Sequence, residues 1–284
     1  MSIETVGVIG AGIMGNGIAQ VCAAAGLSVV MVDINQEAVD RGIGRITESL
    51  NRFEKKGQLA EGGAAEILAR ISGTPDYDAL APVGLVIESA TERQEIKVKI
   101  LKQVDGIVAP SAIISSNTSS ISITELAATN SDPSRVIGMH FFNPPALMAL
   151  VEIIRGLQTS DETHAAVREV ANRVGKKPIS VKNNPGFVVN RILVPMINEA
   201  FFVLAEGVAS AEEIDIGMKL GCNQPIGPLA LGDMIGLDTC LAILEVFRDG
   251  FEDPKYRPCP LLREFVAAGR LGRKTGRGVY SYQS

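Results

Sequence analysis

Gly10-Ala11-Gly12-Ile13-Met14-Gly15 constrains the fold more than any other stretch of this chain. It is the G-x-G-x-x-G pattern, and its setting gives the pattern weight. Residues 5–10 (TVGVIG) read as a short buried strand, β-branched and stopped by glycine. Small and apolar residues at 13–25 then suit a helix packed on a sheet, and residues 27–32 (LSVVMV) read as a second buried strand. Asp33 follows that strand, 18 residues beyond Gly15. Strand, glycine turn, helix, strand and acid form the βαβ unit of a dinucleotide-binding fold.

Each glycine has a physical task there. Gly10 permits the tight turn, Gly12 lets a pyrophosphate approach the backbone, and Gly15 lets helix and strand pack closely. Gly10, Gly12, Ile13, Met14 and Gly15 are therefore the expected cofactor loop, with the pyrophosphate at the positive end of the helix. The Asp33 carboxylate suits the adenosine ribose hydroxyls and repels a 2′-phosphate, and no arginine follows it directly. NAD is favoured over NADP.

Residues 36–71 turn helical and more polar, with breaks at Gly57 and Gly62-Gly63, and read as a pair of antiparallel helices. Strand patterns resume at 85–88, 113–115, 136–140, 151–154 and 179–181, alternating with helices at 94–107 and 161–174. This alternation predicts a doubly wound α/β sheet. The character changes at Asn183-Asn184-Pro185-Gly186, beyond which 188–205, 211–220, 238–248 and 261–268 read as helices. The expected organisation is a Rossmann domain over 1–184, carrying the helical pair at about 36–71, and an all-helical domain over 185–284.

Composition narrows the function classes. A net charge of −5 argues against nucleic acid as a partner, because phosphate binding favours a clustered basic surface. No run approaches the ~20 apolar residues of a membrane span, and the first basic residue is Arg41, so a signal peptide is not expected. Cys22, Cys222, Cys240 and Cys259 form no CxxC pair and read as reduced, mostly buried thiols. A soluble, cytoplasmic protein is expected, and no metal site.

Only His140 and His164 can supply a histidine base. His164 falls in a polar helical stretch that suits a solvated position. His140 ends the apolar run 136–139, at the carboxyl end of a strand, where α/β folds place their ligands. Glu152 follows twelve residues later, on the next strand, after a proline turn. A return strand could set its carboxylate against the imidazole, fixing the tautomer and stabilising the imidazolium. A satisfied core histidine is the alternative at His140. Asn117-Thr118-Ser119-Ser120 stands at another strand end, placed either to bind substrate or nicotinamide or to cap the helix starting near Ser122.

Taken together, GAGIMG (10–15), SNTSS (116–120), GMHFFNP (138–144), VEII (151–154) and NNPGFVVNR (183–191) resemble the short-chain 3-hydroxyacyl-CoA dehydrogenases, particularly the bacterial enzymes of 3-hydroxybutyryl-CoA. MKLGCNQPIGPLALGDMIGLD (218–238) and GRKTGRGVYSY (272–282) look like the same family's C-terminal signatures. The resemblance spans nearly the whole chain. It implies His140 as general base, Glu152 as its orienting partner, Ser119 on the substrate's 3-oxygen and the cofactor, and Asn190 as the last catalytic residue. It further implies NAD contacts at Asp33, Glu92, Lys97, Asn143 and Lys274, beside the strand-end candidate Asn117, and a coenzyme A tail held by the helical pair through Ser49 and Lys56. A homodimer through the C-terminal domain is implied as well, and the apolar Phe201-Phe202-Val203-Leu204 run points the same way.

Two rivals stay open at this level. A dehydrogenase of a free hydroxy acid such as gulonate would share fold and histidine but would not depend on Lys56. A non-catalytic NAD-binding protein would bind cofactor without turnover, and the Ser119, His140, Glu152 and Asn190 set argues against it.

Overall fold

The computed structural model describes residues 3–282. The chain divides into two compact units, Met1–Asn184 and Pro185–Ser284.

The first unit is an eight-stranded sheet with helices. It opens with β1 (Thr5–Ile9), α1 (Ile13–Ala24), β2 (Ser28–Val32), α2 (Gln36–Lys55), α3 (Gly63–Leu68) and β3 (Ile71–Thr74). It continues with β4 (Leu85–Glu88), α4 (Gln94–Asp105), β5 (Ile113–Ser116) and α5 (Ile123–Ala127). It closes with β6 (Val136–Phe141), β7 (Leu150–Arg155), α6 (Asp161–Arg173) and β8 (Lys177–Lys182). The strand order is β3-β2-β1-β4-β5-β6-β7-β8, and every neighbouring pair is parallel except β6 and β7. The order reverses between β1 and β4, the switch point at which such sheets bind ligands.

Burial explains the strand compositions. β4, β5 and β6 are buried along their whole length, so they read as apolar runs rather than alternations. Edge strand β8 is mostly exposed and carries Lys177 and Lys182, charges that discourage further strand pairing. One core joins α1, α2, α3 and α6 to the sheet. On α2 the buried residues Val39, Gly42, Ile46 and Leu50 recur at helical spacing, and Asn35 caps the first turn by accepting from the Ala38 amide at 2.8 Å.

The helical pair differs from the expected form. Its second member closes at Leu68, and Ile71, where the expected pair ends, instead opens the edge strand β3, paired with β2. Ile-Ser-Gly-Thr lacks the apolar density of a central strand because an edge strand is only half covered.

The second unit contains α7 (Val189–Ala205), α8 (Ala211–Gly221), α9 (Pro228–Ile235), α10 (Leu237–Phe251) and α11 (Pro260–Ala267). Helix α9 has no counterpart in the sequence reading, which its eight residues and internal Gly232 did not reveal. The unit's core is built on Val194, Ile197, Phe201, Leu237, Leu244 and Phe247. Phe201 therefore belongs to this core and is not available to an interface, while Phe202 and Leu204 are partly buried against it.

Two buried acids staple this unit together. Asp233 accepts from the amides of Val279 and Tyr280, both at 2.9 Å, and from the Tyr282 hydroxyl at 3.0 Å. Asp215 accepts from the amides of Leu229 and Ala230 and from the Tyr280 hydroxyl at 2.8 Å. Burial, then the bond to Asp215, hold the Tyr280 hydroxyl above the usual phenol range, so it remains a donor. Losing the Asp233 acceptor orphans three donors, two of them on the backbone. Asp233→Ala is expected to destabilise the protein by about 2–4 kcal/mol, read as a lower urea midpoint. A midpoint equal to that of the unaltered chain would remove Asp233 from this role.

Candidate functional site

The glycine turn is built as its motif requires. Gly10 has φ +96°, and a Cβ there would lie 2.6 Å from the Ser89 carbonyl oxygen. At Gly15 a Cβ would meet the Gly10 carbonyl oxygen at 1.7 Å, so only glycine lets α1 approach β1 this closely. Around Gly12 there is open space, and no side chain caps α1. An uncapped helix start beside open backbone suits an anionic ligand. Asp33 holds the turn from β2, its two oxygens accepting from the Ala11 amide at 2.6 Å and the Ile34 amide at 2.7 Å. These residues fit the pyrophosphate and ribose of a dinucleotide. Ile13 is exposed at the mouth of the turn, and Met14 packs against the core.

His140 is the fifth residue of β6 and pairs directly with Glu152 of β7. Opposite residues of an antiparallel pair present their side chains on one face. Nδ1 of His140 accordingly lies 2.7 Å from Oε2 of Glu152. The imidazole is 5% exposed and the carboxylate fully buried. A carboxylate only accepts, so Nδ1 carries the proton of this bond and Nε2 becomes the basic nitrogen. The Phe142 ring packs against the imidazole with centroids 4.6 Å apart. His164, in contrast, bonds the Ser180 hydroxyl at 2.9 Å, and burial, then Arg155 and Arg168, lower its pKa.

The strand ends beside this pair are tied by polar side chains. Asn117 accepts from the Phe141 amide at 2.7 Å and donates to the Ser89 hydroxyl at 3.2 Å. Its amide thus braces the end of β6, a structural task that the sequence does not disclose. The Ser119 amide donates to Glu92 at 2.8 Å, and the Ser120 amide to the same oxygen at 3.1 Å. Lys97 is 1% exposed and bonds both oxygens of Glu88, at 2.9 and 2.7 Å. Its ammonium is therefore engaged by Glu88, a buried acid that sequence reasoning passed over. A charged residue closing the apolar run Leu85-Val86-Ile87 was the available signal.

The remaining expected site residues take no part in the contacts just described. Asn143 is exposed in the segment after β6. Ser49 and Lys56 occupy α2 and its C-terminal end, seven residues and about two turns apart on one side of the helix. In the second unit, Asn190 is half-buried in the first turn of α7, and Lys274 pairs with Asp238 at 2.6 Å. Among the described residues no cluster of three or more His, Cys, Asp or Glu could hold a metal, and no helix is long and apolar enough to cross a membrane. Cys22, Cys240 and Cys259 are buried and Cys222 is exposed, with burial pushing the Cys22 and Cys240 thiols up to about 12.

Comparison with known proteins identifies the family. The NAD-binding domain of 3-hydroxyacyl-CoA dehydrogenase matches residues 5–184, and that family's C-terminal domain matches residues 186–282. The probable 3-hydroxybutyryl-CoA dehydrogenase of Deinococcus radiodurans is 55% identical, across 97% of this chain and 99% of that one. The 3-hydroxybutyryl-CoA dehydrogenase of Bradyrhizobium diazoefficiens is 50% identical, across 99% and 96%. The crystal structure of (S)-3-hydroxybutyryl-CoA dehydrogenase from Ralstonia eutropha superposes with a TM-score of 0.98 at 66% identity, each chain covered completely. With both domains matched in order, the chain belongs to the NAD-dependent 3-hydroxyacyl-CoA dehydrogenase family.

Proposed function

We propose that this protein interconverts (S)-3-hydroxybutyryl-CoA and acetoacetyl-CoA, with His140 as the proton-transfer group. The observation that carries this reading is the 2.7 Å contact between His140 and the buried Glu152 at the carboxyl end of the sheet. The names of the Deinococcus, Bradyrhizobium and Ralstonia relatives support the four-carbon thioester as substrate.

In the oxidative direction His140 Nε2 takes the proton of the 3-hydroxyl while the C3–O bond becomes a carbonyl. NAD, when bound, would supply the acceptor for the hydride that leaves C3. Glu152 steadies the imidazolium that results and returns it to the same tautomer when the proton leaves. Ser119 bonds the substrate's 3-oxygen, and Asn190 completes the set. The glycine turn and Asp33 would hold the cofactor's pyrophosphate and ribose, with Glu92, Asn117, Asn143 and Lys274 as the further cofactor contacts, while the buried Lys97 ammonium is taken up by Glu88. Ser49 and Lys56 on α2 serve the coenzyme A tail, Lys56 by pairing with a phosphate.

Two copies pair through the helical unit. That unit exposes Ile192, Ile216, Leu220 and Met234. It also carries an apolar groove of about 430 Å³ lined by Leu193, Met196, Pro225, Ile226 and Leu231. The reduced thiols fit a cytoplasmic setting.

The direct test follows NADH absorbance with acetoacetyl-CoA, with free acetoacetate in parallel. Rapid oxidation of NADH with the thioester alone is expected, and activity with the free acid alone would replace this reading by a hydroxy-acid dehydrogenase. His140→Ala should lower kcat by ~10²–10⁴-fold while NADH binding, titrated by its fluorescence, stays near that of the unaltered enzyme. Glu152→Gln should cost less, because the base remains. A folded His140→Ala enzyme with full turnover would exclude the histidine.

Asp33→Ala should weaken NADH binding by ~10–100-fold, the range of a hydrogen bond to a charged group, and narrow the preference over NADPH. An unchanged NADH-to-NADPH ratio of kcat/KM would deny Asp33 its selective role. Light scattering should return twice the chain mass, and Leu220→Lys should shift it toward one chain. A single-chain mass for the unaltered protein ends the pairing proposal.

A further inference from the structure

Glu88 closes β4 with its side chain fully buried, where an isolated carboxylate is expensive. Four bonds satisfy it. Lys97 Nζ donates to both oxygens, the Ala90 amide donates at 2.8 Å, and the Ser116 hydroxyl donates at 2.7 Å. Lys97 sits in the first turn of α4, so the pair ties β4, β5 and α4 together.

Glu92 stands between this pair and the turn that carries Ser119. Its Oε1 accepts from the Thr118 hydroxyl at 2.7 Å, the Ser119 and Ser120 amides, and the Ser120 hydroxyl at 3.0 Å. Its Oε2 lies 3.8 Å from Lys97 Nζ. Two carboxylates thus lie within reach of one buried ammonium. Glu88 holds it at hydrogen-bond distance, and Glu92 remains at the outer limit of an ion pair, aimed at the turn. Attraction between charges strengthens as they close and as water is excluded. Without the Glu88 charge, the buried ammonium has Glu92 within ion-pair range, and closing that gap draws the carboxylate off the Ser119 and Ser120 amides.

We propose that Glu88 is a positioning residue of the reaction: by holding Lys97, it leaves Glu92 to clamp the turn that presents Ser119. The proposal rests on Ser119 as the contact for the substrate's 3-oxygen. Lys97 acts here through the two carboxylates.

The test compares the unaltered full-length enzyme with Glu88→Gln and with Glu88→Gln combined with Lys97→Met, using NADH and acetoacetyl-CoA. Glutamine keeps an acceptor for Ala90 or Ser116 and removes the charge. In the single variant kcat at saturating substrates falls ~10–100-fold, the order of a ~1 Å misplacement, and KM for NADH moves less. Adding Lys97→Met recovers most of that loss, because no orphan charge then pulls on Glu92. A merely structural pair instead lowers the melting temperature of Glu88→Gln and leaves kcat of the folded enzyme unmoved. Unchanged kcat in folded Glu88→Gln, or a double variant no faster than the single, overturns the proposal. Should Glu88→Gln fail to fold, Glu92→Ala at the surface carries the test. Its kcat must fall by the same order at an unchanged melting temperature, and an unchanged kcat overturns the clamp. Silence of the unaltered enzyme with the thioester overturns the functional reading itself, and the proposal with it.

Discussion

The reversal of chain direction between β6 and β7 is the constraint on which the candidate site depends. All other neighbouring strands run parallel, and a parallel return would have needed a long crossover. Here residues 142–149 suffice, and the antiparallel register sets Glu152 directly opposite His140. Cβ atoms so placed are ~4.5–5.5 Å apart, close enough for a short side-chain bond without a long, floppy reach. The neighbours protect the register. Val151 and Ile153 are fully buried on the other face, and a slip by one residue would drive the carboxylate into their apolar contacts. The hydrophobic pattern that folds the strand therefore also aims the acid.

A second regularity concerns how the loops at the strand ends are held. Asp33 accepts from Ala11 and Ile34, Glu88 from Ala90, and Glu92 from Ser119 and Ser120. In each case a carboxylate takes backbone amides that would otherwise lack partners. Such bonds are stronger than neutral ones, and they fix the loops before any ligand arrives. The start of α1 is the contrast, because no side chain caps it. The protein's own acids occupy the other amides and leave this helix end suited to a phosphate.

How much of this was legible in the sequence follows from range of interaction. The glycine turn, Asp33 and the His140 strand are local patterns whose meaning is set within a few residues. The helices of the second unit declared themselves by apolar periodicity, apart from α9, which is one short stretch broken by Gly232. Edge strand β3 was hidden because half of its surface is uncovered, so its composition resembles a loop. Lys97 was read as a cofactor contact through the family resemblance, and its burial against Glu88 could not be foreseen. The two stand nine positions apart in the chain, across a loop and a helix turn, and only the folded sheet end brings them together. Asn117 illustrates the same limit: its position at a strand end was visible, its bond to the Phe141 amide was not.

The segment joining β6 and β7 is braced from outside the two strands that carry His140 and Glu152. Lys176 donates to the carbonyls of Pro145 and Met148, at 2.6 and 2.9 Å, from the turn between α6 and β8. Burial lowers its pKa, so its charge is less secure than that of a surface lysine. The brace does not depend on that charge. A neutral amine still offers two donors, one for each carbonyl, and both bonds survive loss of the proton. Asn117 supports the same strand end through a group that does not titrate. The pair is thus held by sheet register, an amide and an amine, none of which must be ionised to act.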